Sequence, residues 1–316
     1  MRAVQITALD GPEAVSVTEV DAPDSAGRVL IEVKAAGVAF PDVLQTRGQY
    51  QIRPDLPFVP GSEVAGIVRE APEGSEFAPG DRVAALSFIG AFAELVAVDE
   101  QFVLPLPESV SFEKGASVIF NYGTAYFALI ERGHLLPGES VLVHGAAGGI
   151  GTAAIQTAKA FGAGRVVAVV STDAKGEVAV AAGADEYVLA DGFRENLGDK
   201  VDVVVDPVGG DRFTDSLRSL NEDGRLLVIG FTGGSIPEVK VNRLLLNNTT
   251  VVGVGWGAYA LSRQGHIRME WDALLPHLVS GAIDPVISSS RPLEGVVDAL
   301  LEIDERRATG KVLLVP

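Results

Sequence analysis

Apolar and polar positions change rhythm along the chain. Up to about residue 110 the apolar residues fall in short β-branched runs at 15–20, 29–33, 64–68 and 92–98, with a further short run after Pro79 and Gly80. Polar, proline- and glycine-bearing segments separate them. Short strands with turn signals between them predict a compact, partly open β barrel or sandwich. Residues 109–116 follow as a short helix with Ser111 as its cap.

The middle of the chain has another pattern. Strand-like runs at 140–144, 165–170, 187–189, 201–205, 225–229 and 250–254 alternate with helical patterns at 152–161, 175–182 and 213–220. This alternation predicts an α/β domain with a parallel, doubly wound (Rossmann) sheet. The run 250–254 is uncharged and β-branched. It is read either as a strand pairing across a subunit interface, giving a homodimer, or as an ordinary edge covered by a helix. The tail carries helical patterns at 271–279 and 293–303 and a last strand at 311–315. The expected domains are 1–119, 120–260 for the nucleotide-type domain, and a segment 261–316 that returns to the first.

Composition narrows the function. With 25 basic and 42 acidic residues the net charge is −17, so a surface for a phosphate backbone is not expected. A single phosphorylated cofactor needs only one or two local cations and stays open. There is no cysteine, which removes disulfides, thiol catalysis and thiolate zinc sites. The four histidines, His134, His144, His266 and His277, have no ligand spacing, so no metal site is expected. No serine sits in a nucleophile elbow. The N-terminal residues lack the apolar core of a signal peptide, and no run of about 18 apolar residues occurs. A cytoplasmic protein, bound to neither membrane nor nucleic acid, is expected.

The segment His144-Gly145-Ala146-Ala147-Gly148-Gly149-Ile150-Gly151 ends a predicted strand and opens a predicted helix. Gly148 lets the backbone approach a diphosphate, and Gly151 lets the helix sit tightly on the strand. The N–H groups of the helix start, around Ala147, Gly148, Gly149 and Ile150, then face the anion. A dinucleotide is therefore expected. About twenty residues on, a cofactor with a free ribose hydroxyl would want Asp or Glu. This chain has Ser171 and, shortly after, Lys175, a hydroxyl and a cation suited to a 2′-phosphate. That favours NADPH, with Asp173 a neighbour in a polar loop. Asp206, Phe231 and Thr232 follow later strands and should edge the nicotinamide crevice. His144 is read as a structural residue whose ring can hold the loop backbone.

Taken together the chain resembles the zinc-independent medium-chain dehydrogenases/reductases of the quinone oxidoreductase (zeta-crystallin-like) type. The likeness rests on Ala35-Ala36-Gly37-Val38 with Asp42, on Arg47, Gly48 and Tyr50, and on Pro60-Gly61-Ser62-Glu63-Val64-Ala65-Gly66. It continues through Thr124-Ala125-Tyr126, the glycine loop and the closing Thr309-Gly310-Lys311-Val312-Leu313-Leu314-Val315-Pro316. It implies a GroES-like N-terminal barrel completed by the C-terminal tail. It also implies hydride transfer from NADPH to a quinone or conjugated carbonyl, the second proton coming from water.

Further roles follow from the resemblance alone. Zinc-dependent relatives carry ligands where this chain has Ala39, Phe40 and Ser62. Arg307 joins Ser171 and Lys175 in the phosphate-binding set, while the family's tyrosine there falls on Ala190. Tyr50 is the candidate for hydrogen bonding an acceptor carbonyl, and Asn121 and Thr124 for contacting nicotinamide or ribose. Phe40, Leu44, Tyr50 and Trp256 would line the acceptor pocket, with Ala39 and Leu44 replacing the polar residues of typical members. Reduction of an alkenal or enoyl thioester, and a non-enzymatic NADPH sensor, are alternatives. A module of a larger synthase is disfavoured because no linker is apparent at either end.

Overall fold

In the computed structural model, which describes residues 1–316, the ten-residue strand Val29–Val38 organises the first of two units. That unit comprises 1–120, 264–275 and 287–316. Its seven-stranded sheet runs Ile287–Pro292, Lys311–Val315, Val29–Val38, Glu63–Glu70, Arg82–Leu86 and Val103–Pro105, with Leu95–Val98 also paired to Val29–Val38. The last strand lies antiparallel on it, Val312 opposite Val38 and Leu314 opposite Ala36, so the tail does complete the N-terminal barrel. Both ends of the chain thus enter one core, in which Ile31, Phe92, Val312 and Leu314 are fully enclosed.

The second unit comprises 121–263 and 276–286. Its six strands, all parallel, run in the order Glu186–Leu189, Arg165–Val170, Ser140–His144, Val201–Asp206, Leu220–Val228, Thr250–Gly253. The central strands are apolar on both faces because helices cover both, as parallel sheets require. Val141, Leu142, Val143, Val203, Val204 and Val205 are all fully buried. The helix Gly149–Ala160 presents mainly small residues, Ala153, Ala154 and Ala158 among them, and can lie close to the sheet. Thr250–Gly253 is an edge of this sheet, bonded on one side only.

Two boundaries differ from the sequence reading. Residues 276–286, expected to return to the barrel, cluster with the parallel sheet. Gln156 draws them there: its Nε2 donates to the Asp284 carbonyl at 2.8 Å, and its Oε1 accepts from Asp284 N–H at 2.9 Å and from the Tyr122 hydroxyl at 2.8 Å. The strand expected at 225–229 begins at Leu220. Asn221-Glu222-Asp223-Gly224 has the composition of a turn, but the structure absorbs it as an irregularity, with Asp223 at φ +62°. No helix is long and apolar enough to cross a membrane.

Candidate functional site

The glycine loop is shaped by contacts that only glycine permits. The strand Ser140–His144 ends at His144 and the chain turns through Gly145 at φ +59°. Ala146 N–H reaches the carbonyl of Val169 on the adjacent strand at 3.3 Å, and Gly148 N–H bonds Gly145 O at 3.0 Å. A Cβ on Gly151 would lie 2.2 Å from Gly145 O and 2.5 Å from Ala146 Cα, so the helix packs on the loop as closely as backbone allows. A Cβ on Gly148 would meet nothing closer than 3.4 Å, which leaves room over the helix start. That start has Gly148 as its cap residue and no side chain satisfying its amides. The first turn of a helix holds N–H groups without intrahelical acceptors, at the positive end of the helix dipole. A diphosphate fits this cradle.

One strand along the sheet, Arg165–Val170 passes into Ser171, which is exposed, and Thr172, whose hydroxyl caps the helix Asp173–Ala181 by accepting Lys175 N–H at 3.3 Å. Lys175 is half-buried in the first helical turn. Asp173 is exposed, and its Oδ1 accepts from the Tyr187 hydroxyl at 3.1 Å. Ala190 lies buried after Glu186–Leu189 and offers no hydroxyl.

The later strand ends are tied to each other. Asp206 Oδ1 accepts from the N–H groups of Val208 and Gly209 at 2.9 and 2.8 Å, so this buried carboxylate serves as a turn residue. Thr232 bonds the Pro207 carbonyl through both N–H and Oγ1, at 3.2 and 3.1 Å, and Phe231 beside it is exposed. His144 does not hold the loop backbone. Its Nε2 pairs with Ser216 Oγ at 2.8 Å, and its ring meets Phe193 edge-on at 5.0 Å. Burial pushes the imidazole down to about 4, with the Asp206 charge opposing and Arg212 adding to the fall, so the ring is neutral near pH 7. Asn121 and Thr124 are both buried on the helix Ile119–Tyr126, and Trp256 is buried at the start of Trp256–Leu261.

In the barrel unit the helix Phe40–Thr46 follows the long strand directly. Asp42 reaches back to accept Ala39 N–H at 2.7 Å, and its other carboxylate oxygen is buried as well. Burial pushes this carboxyl up to about 7, chiefly because a charge there loses its hydration. Nearby, Glu63 and Lys311 form a fully enclosed ion pair, and Glu63 also accepts Phe120 N–H at 3.0 Å. Gly37 makes room for it: a Cβ there would lie 2.5 Å from Lys311 Cε and 2.8 Å from Glu63 Cγ. Phe40, Leu44 and Tyr50 are half-buried. Burial first, and then the charge of Asp42, raises the Tyr50 phenol above its ordinary value. Arg307 is exposed, with Nε on Glu305 Oε2 at 2.6 Å.

Residues 25–108 match the alcohol dehydrogenase GroES-like domain family, and 149–280 match the zinc-binding dehydrogenase family. Over 323 residues the chain is 39% identical to quinone oxidoreductase-like protein 2 of Rattus norvegicus, spanning 99% of this chain and 91% of that one. The chain belongs to the quinone oxidoreductase family of medium-chain dehydrogenases/reductases. Solved structures agree with this family assignment. A probable oxidoreductase from Mycobacterium abscessus superposes with a TM-score of 0.90 at 44% identity, over 100% of this chain and 99% of that one. The quinone oxidoreductase of Escherichia coli, crystallised with NADPH, gives 0.89 at 29% identity over 100% of both chains.

The positions at which the resemblance implies zinc ligands in other medium-chain dehydrogenases can be followed in the structure of this quinone oxidoreductase-family chain. Ala39 and Phe40 have no ligating atom, the Ser62 hydroxyl is directed to the Phe88 carbonyl at 3.5 Å, and Glu63 is committed to Lys311 and Phe120. Sequence reasoning missed the Glu63–Lys311 pair. The signal was present: a lysine opening the apolar run Lys311–Val315 has little reason to be buried unless a carboxylate meets it. It also missed Tyr187 as the partner of Asp173.

Proposed function

We propose that the protein is a zinc-independent, NADPH-dependent reductase that passes a hydride to a quinone or conjugated carbonyl acceptor. The observation that carries this reading is the uncapped helix start at Gly148, followed one strand later by Ser171 and Lys175 where an acidic residue would select a free ribose hydroxyl. NADPH, when bound, supplies the hydride. The amides around Ala147, Gly148, Gly149 and Ile150 bind its diphosphate; Ser171 and Lys175 bind the 2′-phosphate. Phe231 and Thr232 border the nicotinamide, and Asn121 and Thr124 contact its ring or ribose. Tyr50 hydrogen-bonds the acceptor carbonyl, while Phe40 and Leu44 give the acceptor apolar surroundings. With few charged groups, catalysis is positioning and exclusion of water.

Lys175→Ala tests the cofactor assignment. A charge-assisted contact contributes roughly 1.5–3 kcal/mol, and about 1.4 kcal/mol is a decade in affinity. The dissociation constant for NADPH should rise roughly tenfold to a hundredfold, with NADH binding hardly changed, as read by titration of both proteins with both cofactors. Equal wild-type affinities for NADH and NADPH would overturn the assignment.

The same proposal includes a homodimer. Thr250–Gly253 is an uncharged edge strand, and the preceding helix Asn242–Asn247 leaves Leu245 and Leu246 about three-quarters exposed. Unpaired edges and apolar patches of this kind recruit partners. Light scattering at micromolar concentration should give twice the chain mass; a monomeric mass removes this part of the proposal.

A further inference from the structure

A carboxylate stands at the start of the helix that holds Lys175. Asp173 is the first residue of Asp173–Ala181, two positions after Ser171 and two before Lys175. An acidic side chain there opposes a 2′-phosphate and could instead accept hydrogen bonds from ribose hydroxyls. It is not loose: the Tyr187 hydroxyl, on the neighbouring strand Glu186–Leu189, donates to its Oδ1 at 3.1 Å. The acceptor carboxylate raises the Tyr187 phenol above its ordinary value, and the charge of Glu177 adds to this.

The seat of Tyr187 is built into the helix. Gly176 lies within Asp173–Ala181, where glycine is a poorer helix former than alanine. A Cβ at Gly176 would lie 2.5 Å from Tyr187 Cδ2 and 2.6 Å from Cε2 and Cγ. The ring therefore occupies the space that any other residue at 176 would fill, while its hydroxyl is on Asp173. Three residues, Asp173, Gly176 and Tyr187, act as one unit.

We propose that Tyr187, seated on Gly176, is a positioning residue that holds the Asp173 carboxylate away from the phosphate-binding residues, and that Asp173 thereby sets the preference between the two nicotinamide cofactors. The inference rests on the NADPH reading above. With Tyr187 in place the carboxylate is engaged and Ser171 and Lys175 serve the phosphate. Without the hydroxyl, the carboxylate turns toward Lys175, competes with the phosphate for it, and offers an acceptor to an unphosphorylated ribose.

The test is a thermodynamic cycle on binding, read by titration with NADPH, NADH and adenosine 2′,5′-bisphosphate. Tyr187→Phe keeps the ring on Gly176 and removes only the hydroxyl. It should raise the dissociation constants for NADPH and the bisphosphate about three- to tenfold and leave that for NADH unchanged or lower. Asp173→Asn should bind NADPH at least as tightly as wild type, and adding Tyr187→Phe to it should change nothing further. Gly176→Ala, which displaces the ring, should shift the preference in the same direction as Tyr187→Phe. A structural role alone would move all three ligands together. The inference is overturned if Tyr187→Phe weakens NADH and NADPH equally, or weakens NADPH as much in the Asp173→Asn background as in wild type. Wild-type protein that binds neither cofactor overturns the NADPH reading itself, and the inference with it.

Discussion

Replacing Gly151 with alanine should abolish useful dinucleotide binding, raising the dissociation constant for NADPH by at least about a hundredfold, or roughly 2.7 kcal/mol. The added Cβ would fall 2.2 Å from Gly145 O and 2.5–2.6 Å from Ala146 backbone atoms. These are main-chain atoms of a short loop, so no side chain can step aside and the helix itself must move outward. Overpacking of this kind costs about 1–3 kcal/mol of stability, so the melting temperature should fall as well. Gly148→Ala separates the two effects. Its backbone, φ −81° and ψ 177°, suits any residue, and its nearest neighbour would be at 3.4 Å. It should leave stability nearly unchanged yet place a methyl group where the diphosphate approaches. Calorimetric titration and thermal melts of both variants check this, and wild-type affinity in Gly151→Ala would show that the close helix–loop packing is not needed.

Asp42→Asn should make the protein more stable at pH 8 than wild type while changing little at pH 4. The Asp42 carboxyl is pushed from its ordinary 3.8 up to about 7 by burial, with backbone hydrogen bonds and Lys311 only partly offsetting this. Below 3.8 both folded and unfolded chains carry the proton, and the stability is complete. Between 3.8 and about 7 the unfolded chain ionises and the folded one does not, so stability is lost as pH rises and levels off above 7. At about 1.4 kcal/mol per pH unit the window is worth roughly 4 kcal/mol. Asparagine keeps an oxygen for Ala39 N–H and has nothing to ionise. Denaturant melts of both proteins at the two pH values should show a gap that opens with pH; a constant gap contradicts the buried, proton-holding Asp42.

Much of the fold was legible because its elements obey one physical rule each. The central strands of the parallel sheet are covered on both faces and read as continuous apolar runs, 140–144 and 201–205 most plainly. The edge at Thr250–Gly253 was visible as an uncharged β-branched run. What escaped depends on partners distant in sequence. Lys311 meets Glu63 across 248 positions: a lysine opening an apolar run calls for a carboxylate, but nothing near it says which one. Asn221-Glu222-Asp223-Gly224 has the composition of a turn, yet it sits inside Leu220–Val228 as an unpaired irregularity between Leu220, opposite Val201, and Arg225, opposite Val203. The helix Phe40–Thr46 starts without a capping side chain at Ala39; Asp42 reaches back to cap it from within.

The candidate site divides along the same line. The glycine loop, Ser171 and Lys175 follow from spacing after a strand, a local property. The contribution of Asp173 does not, because Tyr187 and Gly176 must first be brought together by packing a helix on a strand. The neutral, enclosed His144 likewise takes its partner Ser216 from a helix 72 residues on.

The central claim is most directly tested by following NADPH oxidation against a panel of small quinones, alkenals and enoyl thioesters, before and after exhaustive chelation with metal analysis. Turnover of a quinone or conjugated carbonyl, at a rate unchanged by chelation and without stoichiometric zinc, is the predicted result. Tight NADPH binding with no turnover of any acceptor, or activity lost on chelation and restored specifically by zinc, would contradict it.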